Sequence, residues 1–241
     1  MSLRRVLAAA AIPLAAGLVL AGGAAAAPSS APAAPTPATA WVGRVLAPVV
    51  ARRAPRVGAP RAAVVKPVAP FAHGPTVLLI TRTAVVDGRR WVEVLLPKRP
   101  NGTRGWLPAD VLRMRSTAMR ITIDLSDRRL TVLRGGRRII RAPIAVGQAA
   151  TPTPTGSFAI AETVRTGLPG AFLGPFVFPL TGFSETLNEY AGGNGRVAIH
   201  GTSQPALIGT AASHGCIRML NRDVVRLSRI IRPGTPVIIR S

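Results

Sequence analysis

The chain has 241 residues, of which 31 are Lys or Arg and 9 are Asp or Glu, so its formal net charge is +22 at pH 7. Such a charge favours association with a polyanion. Cys216 is the only cysteine, which excludes an intramolecular disulfide, so the fold must be held together by its hydrophobic core.

The first 27 residues are typical of a secretory signal peptide. Arg4 and Arg5 precede an apolar run from Val6 to Ala21, and small residues follow up to Ala27, as in a charged region, a hydrophobic region and a cleavage site. An uncleaved membrane anchor is the alternative, because the run is only slightly shorter than the ~20 residues that span a bilayer. We therefore expect an exported protein of the cell wall or a periplasm-like space, tethered to the membrane if the signal is not cleaved.

Residues 28–70 are rich in Pro, Ala and Arg. They hold nine of the 23 prolines, six basic residues and no acidic residue. Prolines favour extended polyproline geometry, and a segment of this composition is typical of disordered linkers. We predict a disordered linker whose positive charge attracts anionic wall polymers, which are the polyanions outside a cell; nucleic acid is not expected as a partner.

Residues 71–116 predict a small β-barrel. Short β-rich runs at residues 76–83, 89–97 and 102–114 are separated by Asp87-Gly88 and Asn101-Gly102, pairs that are common in hairpin turns. The run Trp91–Val94, together with Leu96-Pro97 and Gly105–Leu107, resembles a bacterial SH3-like domain. In a barrel of this size we expect the tryptophans to belong to the core.

Residues 118–241 predict a second β-rich domain with one short helix. Ile121, Ile123 and Leu125 alternate with polar residues, which indicates a strand. A helix is expected at residues 221–231, where Asn221 can cap the N-terminus and apolar residues recur at helical spacing. The fold class is therefore all-β with one short helix. The Gly-rich, aromatic segment from residue 168 to residue 193 is either a loop that caps a cleft or a sheet edge with its connection.

Cys216 belongs to the stretch SHGC, and two histidines are candidates to activate it. A cysteine attacks as the thiolate, whereas a free thiol with a pKa near 8.5 is mostly protonated at neutral pH. An imidazole within hydrogen-bond reach can take that proton and return it to a leaving amine. His200 could face Cys216 across a sheet, and His214 is two residues away. The spacing by itself leaves both open as the base.

The neighbours of Cys216 add two further groups. Gly215 lets a substrate carbonyl approach the backbone, and the N–H groups around Gly215 and Cys216 could then form an oxyanion hole. Arg218 offers a two-pronged clamp for a carboxylate. A zinc site is the competing interpretation, because a cysteine and two histidines supply three possible ligands. We expect no metal, since a catalytic zinc site also needs an acid or base nearby and the nearest carboxylates in sequence are Asp223 and Glu189.

The motif His200-Gly201-Thr202, followed by Ser213–Met219 with Asn221 and Asp223, resembles the signature of the L,D-transpeptidase catalytic domain. The stretches ITIDLSDRRLTVL and TPTPTGSF are similar to the same family, so the resemblance covers residues 118 to 240. It implies a β-sandwich domain that cross-links peptidoglycan stem peptides and needs no cofactor. It also implies that carbapenems acylate the cysteine.

The resemblance implies a role for each residue of the motif. Cys216 attacks the carbonyl of the third residue of a tetrapeptide stem, D-alanine leaves, and an amine of a neighbouring stem resolves the acyl-enzyme. His200 is the general base, and the Gly201 carbonyl orients it. The other motif residues frame the nucleophile and oxyanion hole (Ser213, His214, Gly215) or bind substrate (Ser213, Thr202, Arg218).

Two other functions remain open at this stage. An L,D-carboxypeptidase would use the same residues but let water resolve the acyl-enzyme. A non-catalytic wall-binding protein would act through the SH3-like domain and the basic linker, although the intact pair of His200 and Cys216 argues against it. The sequence therefore predicts an exported cysteine L,D-transpeptidase of four segments, with a signal peptide (1–27), a linker (28–70), an SH3-like domain (71–116) and a catalytic domain (118–241).

Overall fold

The computed structural model describes residues 34–168, 170–189 and 192–241. The predicted signal peptide lies outside these ranges. The described residues form two β-sheets with a single α-helix, so the all-β class with one helix is confirmed. None of the described helices is long and apolar enough to cross a membrane.

Seven antiparallel strands form the first sheet. They are β1 (Ala40–Val45), β2 (Val49–Arg52), β3 (Arg61–Val65), β4 (Val77–Val86), β5 (Arg89–Leu95), β6 (Arg104–Pro108) and β7 (Leu112–Thr117). Their order in the sheet is β3-β2-β6-β5-β4-β1-β7. The core between them holds residues from the predicted barrel and from the segment before it, including Val45, Ala51 and Leu107.

The prediction of a disordered linker is wrong for residues 40–65, which form β1, β2 and β3. Apolar residues of this segment pack into the same core as β4 to β6. The prolines that suggested disorder, such as Pro48, Pro55 and Pro60, lie between the strands rather than in them, where a missing N–H costs no ladder hydrogen bond. The boundary predicted at residue 71 is therefore also wrong, since the sheet begins at Ala40.

Trp91 and Trp106 are 2% and 7% exposed, so the expectation that they belong to the core is confirmed. The assignment of this sheet as an SH3-like domain stays a prediction.

Ten strands form the second sheet. They are β8 (Met119–Asp124), β9 (Arg129–Arg134), β10 (Arg137–Gly147), β11 (Gly156–Ala159), β12 (Val164–Arg165), β13 (Phe176–Phe183), β14 (Arg196–His200), β15 (Ala211–Ser213), β16 (Ile217–Met219) and β17 (Pro236–Arg240). The order is β11-β17-β8-β9-β10-β16-β14-β13-β12, and β15 pairs with β10.

This second sheet curves around one core. Although β11 and β13 stand near opposite ends of the strand order, Ile160 forms a bridge with Leu180. Phe158 and Phe178 belong to the same hydrophobic cluster. Strands from both ends of the sheet therefore bury their apolar faces against each other, and the polar face of β14 and β16 is left for the site described below.

The helix α1 (Asn221–Ile230) packs Val224 and Leu227 into this core, and both side chains are fully buried. The helix itself confirms the prediction, but the expected capping by Asn221 is wrong. Leu220 occupies the N-cap position without a side-chain cap, while the Asn221 Oδ1 accepts a hydrogen bond of 2.8 Å from the Thr202 N–H. This side chain thus ties the start of α1 to the turn that follows β14.

The loop between β5 and β6, residues 96–103, contacts the second sheet and is called the docking loop below. Asn101 Nδ2 donates to the Phe183 carbonyl, and the Phe183 N–H donates back to Asn101 Oδ1, both over 2.8 Å. Arg99 donates to the carbonyls of Ser184, Leu187 and Asn194 over 2.6 to 3.1 Å. The docking loop thereby holds the chain that follows β13.

Candidate active site

The parallel pairing of β14 with β16 brings the predicted site residues together. Ile199 lies opposite Ile217 and His200 lies opposite Arg218. Both isoleucines are fully buried in the core. Because side chains alternate between the two faces of a strand, His200 and Arg218 point to the other face, and Cys216, immediately before β16, lies on that face as well. This one ladder brings His200 and Cys216 together although they are 16 positions apart in the sequence.

A cavity of about 410 Å³ lies on this face, and its lining includes Cys216, His200, His214 and Arg218. The segment from residue 168 to residue 193 contributes to the cleft as one of the two expectations had it, and it is not a sheet edge, because β13 lies between β12 and β14. Part of it is the strand β13, and its flanking loops contribute Phe172, Leu173 and Leu187 to the cavity wall.

His200 is 1% exposed, and its Nδ1 lies 2.6 Å from the Gly201 carbonyl oxygen. A carbonyl only accepts hydrogen bonds, so Nδ1 carries the proton and Nε2 has a free lone pair. The pKa of His200 is lowered to about 4, chiefly by burial; the Gly201 hydrogen bond opposes this shift, and the nearby charge of Arg218 adds to it. The imidazole is therefore neutral at pH 7 and able to accept a proton.

Cys216 is partly exposed to the cavity. Burial raises the pKa of its thiol, and a backbone hydrogen bond from Ala198 and the charge of Arg218 act in the opposite direction. The thiol is therefore protonated at neutral pH and needs a base. His214 lies at the exposed rim of the cavity, whereas His200 is enclosed with the sulfur, so the arrangement favours His200 over His214 as that base.

A tight turn supports the nucleophile. The Ser213 hydroxyl donates to the Cys216 carbonyl over 2.5 Å and accepts the Gly215 N–H over 3.1 Å. Gly215 has φ +108°, a conformation that side-chain-bearing residues rarely adopt. The Gly215 N–H was expected to help form the oxyanion hole, but it is already bound to Ser213, so the Cys216 N–H is the better candidate.

Two residues predicted to bind substrate form hydrogen bonds within the backbone turns around the site, and their contact with substrate stays a prediction. Ser213 belongs to the lining of the cavity of Cys216, but it is fully buried and its hydroxyl is used within the turn. Thr202 is 3% exposed and does not line the cavity of Cys216; its N–H is bound to Asn221, and its hydroxyl accepts the Gln204 N–H. Both are small polar residues next to a catalytic motif, where sequence spacing does not distinguish turn formation from substrate contact.

Arg218 is a buried cation with little to neutralise it. It is 4% exposed, and its Nη1 donates to Gln204 Oε1 over 3.2 Å. The Phe172 ring lies 4.7 Å from its guanidinium carbon, and its Nε is buried without a partner. Among the described residues, no carboxylate lies within 4.0 Å of it. A buried charge is costly unless it is paired, so this arginine is suited to hold a carboxylate in the cavity.

Sequence reasoning missed Arg196 and Phe71, which also line the cavity, and it included Phe172 only as part of the segment expected to cap a cleft. In a chain with 31 Lys and Arg, a single arginine carries no signal of its own. The alternation of β14 backwards from His200 would have found Arg196, since positions 196, 198 and 200 share a face. The described ranges contain no group of three His, Cys, Asp or Glu residues that could hold a metal ion.

Comparison with known proteins gives the family. A sequence model of the YkuD family, described as the L,D-transpeptidase catalytic domain, matches residues 118–239. The YkuD protein of Bacillus subtilis is 39% identical over 119 residues, which cover 49% of this chain and 64% of that protein. The YbiS protein of Escherichia coli is 30% identical over 168 residues, covering 64% of this chain and 54% of that protein. Both relatives are named as L,D-transpeptidases.

Solved structures show a lower level of similarity. An L,D-transpeptidase from Mycobacterium tuberculosis H37Rv is 15% identical with a TM-score of 0.43, covering 82% of this chain and 95% of that one. The chain spans 54% to 64% of the length of the curated relatives just described. The match over just more than half of the chain shows that it belongs to the L,D-transpeptidase catalytic-domain family.

Proposed function

We propose that the protein is an exported cysteine L,D-transpeptidase that forms 3→3 cross-links between peptidoglycan stem peptides. One observation carries this proposal: the pairing of β14 with β16 encloses a thiol, a neutral imidazole and an unneutralised guanidinium in one cavity. These are a nucleophile, its base and a group that binds carboxylate.

In the acylation step, His200 Nε2 takes the proton of the Cys216 thiol as the sulfur attacks the carbonyl of the third stem residue. The Cys216 N–H stabilises the resulting oxyanion. The carbon–nitrogen bond then breaks, and His200 gives its proton to the amine of the departing D-alanine. Because burial keeps the pKa of His200 near 4, the imidazolium returns this proton readily.

In the transfer step, the amine of a neighbouring stem attacks the thioester. His200 accepts a proton from that amine, the carbon–sulfur bond breaks, and the thiolate recovers the proton. The hydrogen bond from Nδ1 to the Gly201 carbonyl keeps the same tautomer and ring orientation through both steps. Arg218 holds a carboxylate of the substrate on the side of His200.

The basic surface of the first sheet is the proposed contact with anionic wall polymers. The predicted linker charges Arg44, Arg53, Arg56, Arg61 and Lys66 are all exposed. Since residues 40–65 are folded, these charges are presented at fixed positions rather than on a flexible tether. Their attraction to a polyanion is expected to weaken with salt.

Incubation with a disaccharide tetrapeptide tests the reaction, with products followed by mass spectrometry and Cys216→Ala as the control. Cross-linked dimers that have lost one D-alanine are the expected product. Monomeric tripeptide alone would mean that water resolves the acyl-enzyme, as in an L,D-carboxypeptidase. An absence of turnover by the wild-type protein would refute both activities and leave the wall-binding function.

Two further measurements test the roles of the residues. A carbapenem should form an adduct on Cys216, and an intact thiol after exposure would count against the nucleophile. His200→Ala should abolish acylation, whereas His214→Ala should retain part of it because this side chain lies at the exposed rim. Equal losses in the two variants would contradict the choice of base.

A further inference from the structure

Arg196 occupies the opposite end of the cavity from Arg218. Residues 196, 198 and 200 share one face of β14, while Val197 and Ile199 are buried in the core. The backbone of Ala198 interacts with the Cys216 thiol, so the nucleophile lies beside position 198. At a rise of about 3.3 Å per residue, the backbone of Arg196 lies roughly two residues from the sulfur in one direction along β14. His200 and Arg218 lie a similar distance from the sulfur in the other direction.

Among the described residues, Arg196 is a second cation without a carboxylate in direct contact. In the described part of the chain, no carboxylate lies within 4.0 Å of its guanidinium. Its Nε is buried without a partner, and the hydrogen bond from Nη2 to the Pro97 carbonyl is long, at 3.4 Å. Burial lowers the pKa of Arg196, and the more distant Glu162 opposes this.

Glu162 is engaged elsewhere through one of its two carboxylate oxygens, while Oε1 is buried without a hydrogen-bond partner. Its Oε2 accepts the N–H groups of Phe71 and Ala72 over 3.0 and 2.7 Å. The carboxylate therefore fixes the chain at Phe71 and acts on Arg196 only over a distance, so it does not occupy the hydrogen-bonding positions of the guanidinium.

Aromatic rings hold the guanidinium of Arg196 in place. The Phe71 ring lies 5.5 Å and the Phe183 ring 5.1 Å from its guanidinium carbon. Such contacts stabilise a cation without supplying hydrogen-bond acceptors. A side chain held in this way binds a carboxylate with little further loss of conformational freedom, and the planar fork can make two parallel hydrogen bonds to it.

We propose that Arg196 binds a second substrate carboxylate, located on the acyl side of the scissile amide. This rests on the proposed function, in which His200 protonates the leaving amine. The leaving group then lies towards His200 and Arg218, and the acyl portion extends towards Arg196. The preferred donor is accordingly a stem peptide whose second or third residue carries a free carboxylate, and amidation of that carboxylate weakens binding.

Equilibrium binding tests this independently of turnover. Full-length Cys216→Ala protein, with and without Arg196→Gln, is titrated by calorimetry with two tetrapeptide stems that differ only in amidation of the acyl-side carboxylates. A charge-assisted hydrogen bond of about 1.5 to 3 kcal/mol corresponds to roughly a tenfold to hundredfold change in affinity. Arg196→Gln should weaken binding of the free acid by at least about tenfold on this scale and leave binding of the amidated stem nearly unchanged.

Two other variants control the result. Arg165→Gln removes an exposed arginine of the same sheet that does not line the cavity, and it should bind both stems like the parent. Arg196→Lys keeps the charge but not the fork, so its affinity for the free acid should lie between those of the parent and Arg196→Gln. The rate at which neutral iodoacetamide alkylates Cys216 in the Arg196 variants of the otherwise wild-type protein reports whether the site remains intact.

The proposal is overturned if Arg196→Gln weakens both stems equally, if it weakens neither, or if neither stem binds the parent. If the free acid binds selectively through Arg196 but wild-type protein yields no cross-linked product, the carboxylate site stands and the transpeptidase reaction does not. The two failures are thus distinguishable.

Discussion

Asn101→Ala tests whether the docking loop stabilises the active-site wall. The side chain makes two hydrogen bonds of 2.8 Å to the backbone of Phe183, in the manner of one more residue pair in a β-ladder. Phe183 is 5% exposed, so little water can replace the lost partner. The next residue, Ser184, belongs to the cavity lining.

The expected loss follows from these two bonds. At about 1 kcal/mol net for each hydrogen bond, the free energy of unfolding should fall by about 2 kcal/mol, and somewhat more if the Phe183 groups stay dry. A change of about 2 kcal/mol shifts the folding equilibrium roughly thirtyfold. Because the chain that follows β13 lines the cavity, the loss of these hydrogen bonds should also raise the KM for stem peptide.

Urea unfolding measures this effect with two probes. The three tryptophans, Trp41, Trp91 and Trp106, all belong to the first sheet, so their fluorescence reports that sheet alone. Far-ultraviolet circular dichroism reports the strands of both sheets. The two transitions should coincide in the wild-type protein and separate in Asn101→Ala, because the variant uncouples the sheets at the docking loop.

Thr103→Ala is the matched control in the same loop, because its hydroxyl donates only to the Pro100 carbonyl within the loop. It should leave the coupling intact. If Asn101→Ala unfolds at the same urea concentration as Thr103→Ala, with coincident transitions, the inference that the docking loop stabilises the wall is refuted.

Three further predictions concern the site itself. In Gly201→Ala the new Cβ would lie 2.3 Å from Asn221 Oδ1, and overpacking of about 1 to 3 kcal/mol should lower the melting temperature and slow acylation by displacing the carbonyl that orients His200. In Gly215→Ala the nearest atom to the new Cβ is 3.6 Å away, so the cost of about 1 to 3 kcal/mol comes from the backbone angle φ of +108°. The activation free energy of acylation should change by more than the free energy of unfolding. Equal changes in the two free energies would contradict this prediction. Because burial lowers the pKa of His200 from 6.5 to about 4, the folded state binds fewer protons than the unfolded state in this window. The contribution of His200 to the free energy of unfolding is thus fully present above pH 6.5. It should decline by up to about 3 kcal/mol as the pH falls from 6.5 through 4. In a His200→Gln variant, the free energy of unfolding measured by urea titration should depend less on pH than in the wild-type protein. An unchanged pH dependence would refute the assignment of this effect to His200.

The sequence alone determined the local features of this protein. The alternation at Ile121 and Ile123 indicated a strand, and the spacing of Val224 and Leu227 indicated the helix, since both patterns follow from the geometry of one element. The stretch SHGC and the upstream His200 identified the candidate nucleophile and base, because their chemistry depends on residue type. Local information of this kind was sufficient for the family resemblance.

The amino-acid composition did not predict the strands β1 to β3, because these strands depend on partners that are distant in the sequence. Residues 40–65 belong to the proline-rich segment that was predicted to be a linker, yet β1 to β3 fold because β4, β6 and β7 offer edges to pair with. A strand is stable only with a neighbour, and the neighbour is more than 40 positions away for the pairing of β2 with β6. No local pattern reports such a partner.

The tertiary structure likewise gave the two histidines different surroundings and revealed the second arginine. The sequence places His214 beside Cys216, but the parallel ladder of β14 and β16 buries His200 on the face of the sulfur and leaves His214 at the rim. The same ladder places Arg196 and Arg218 at opposite ends of one cavity. Burial and charge depend on every strand that surrounds a residue, so they become defined only when the whole sheet has formed.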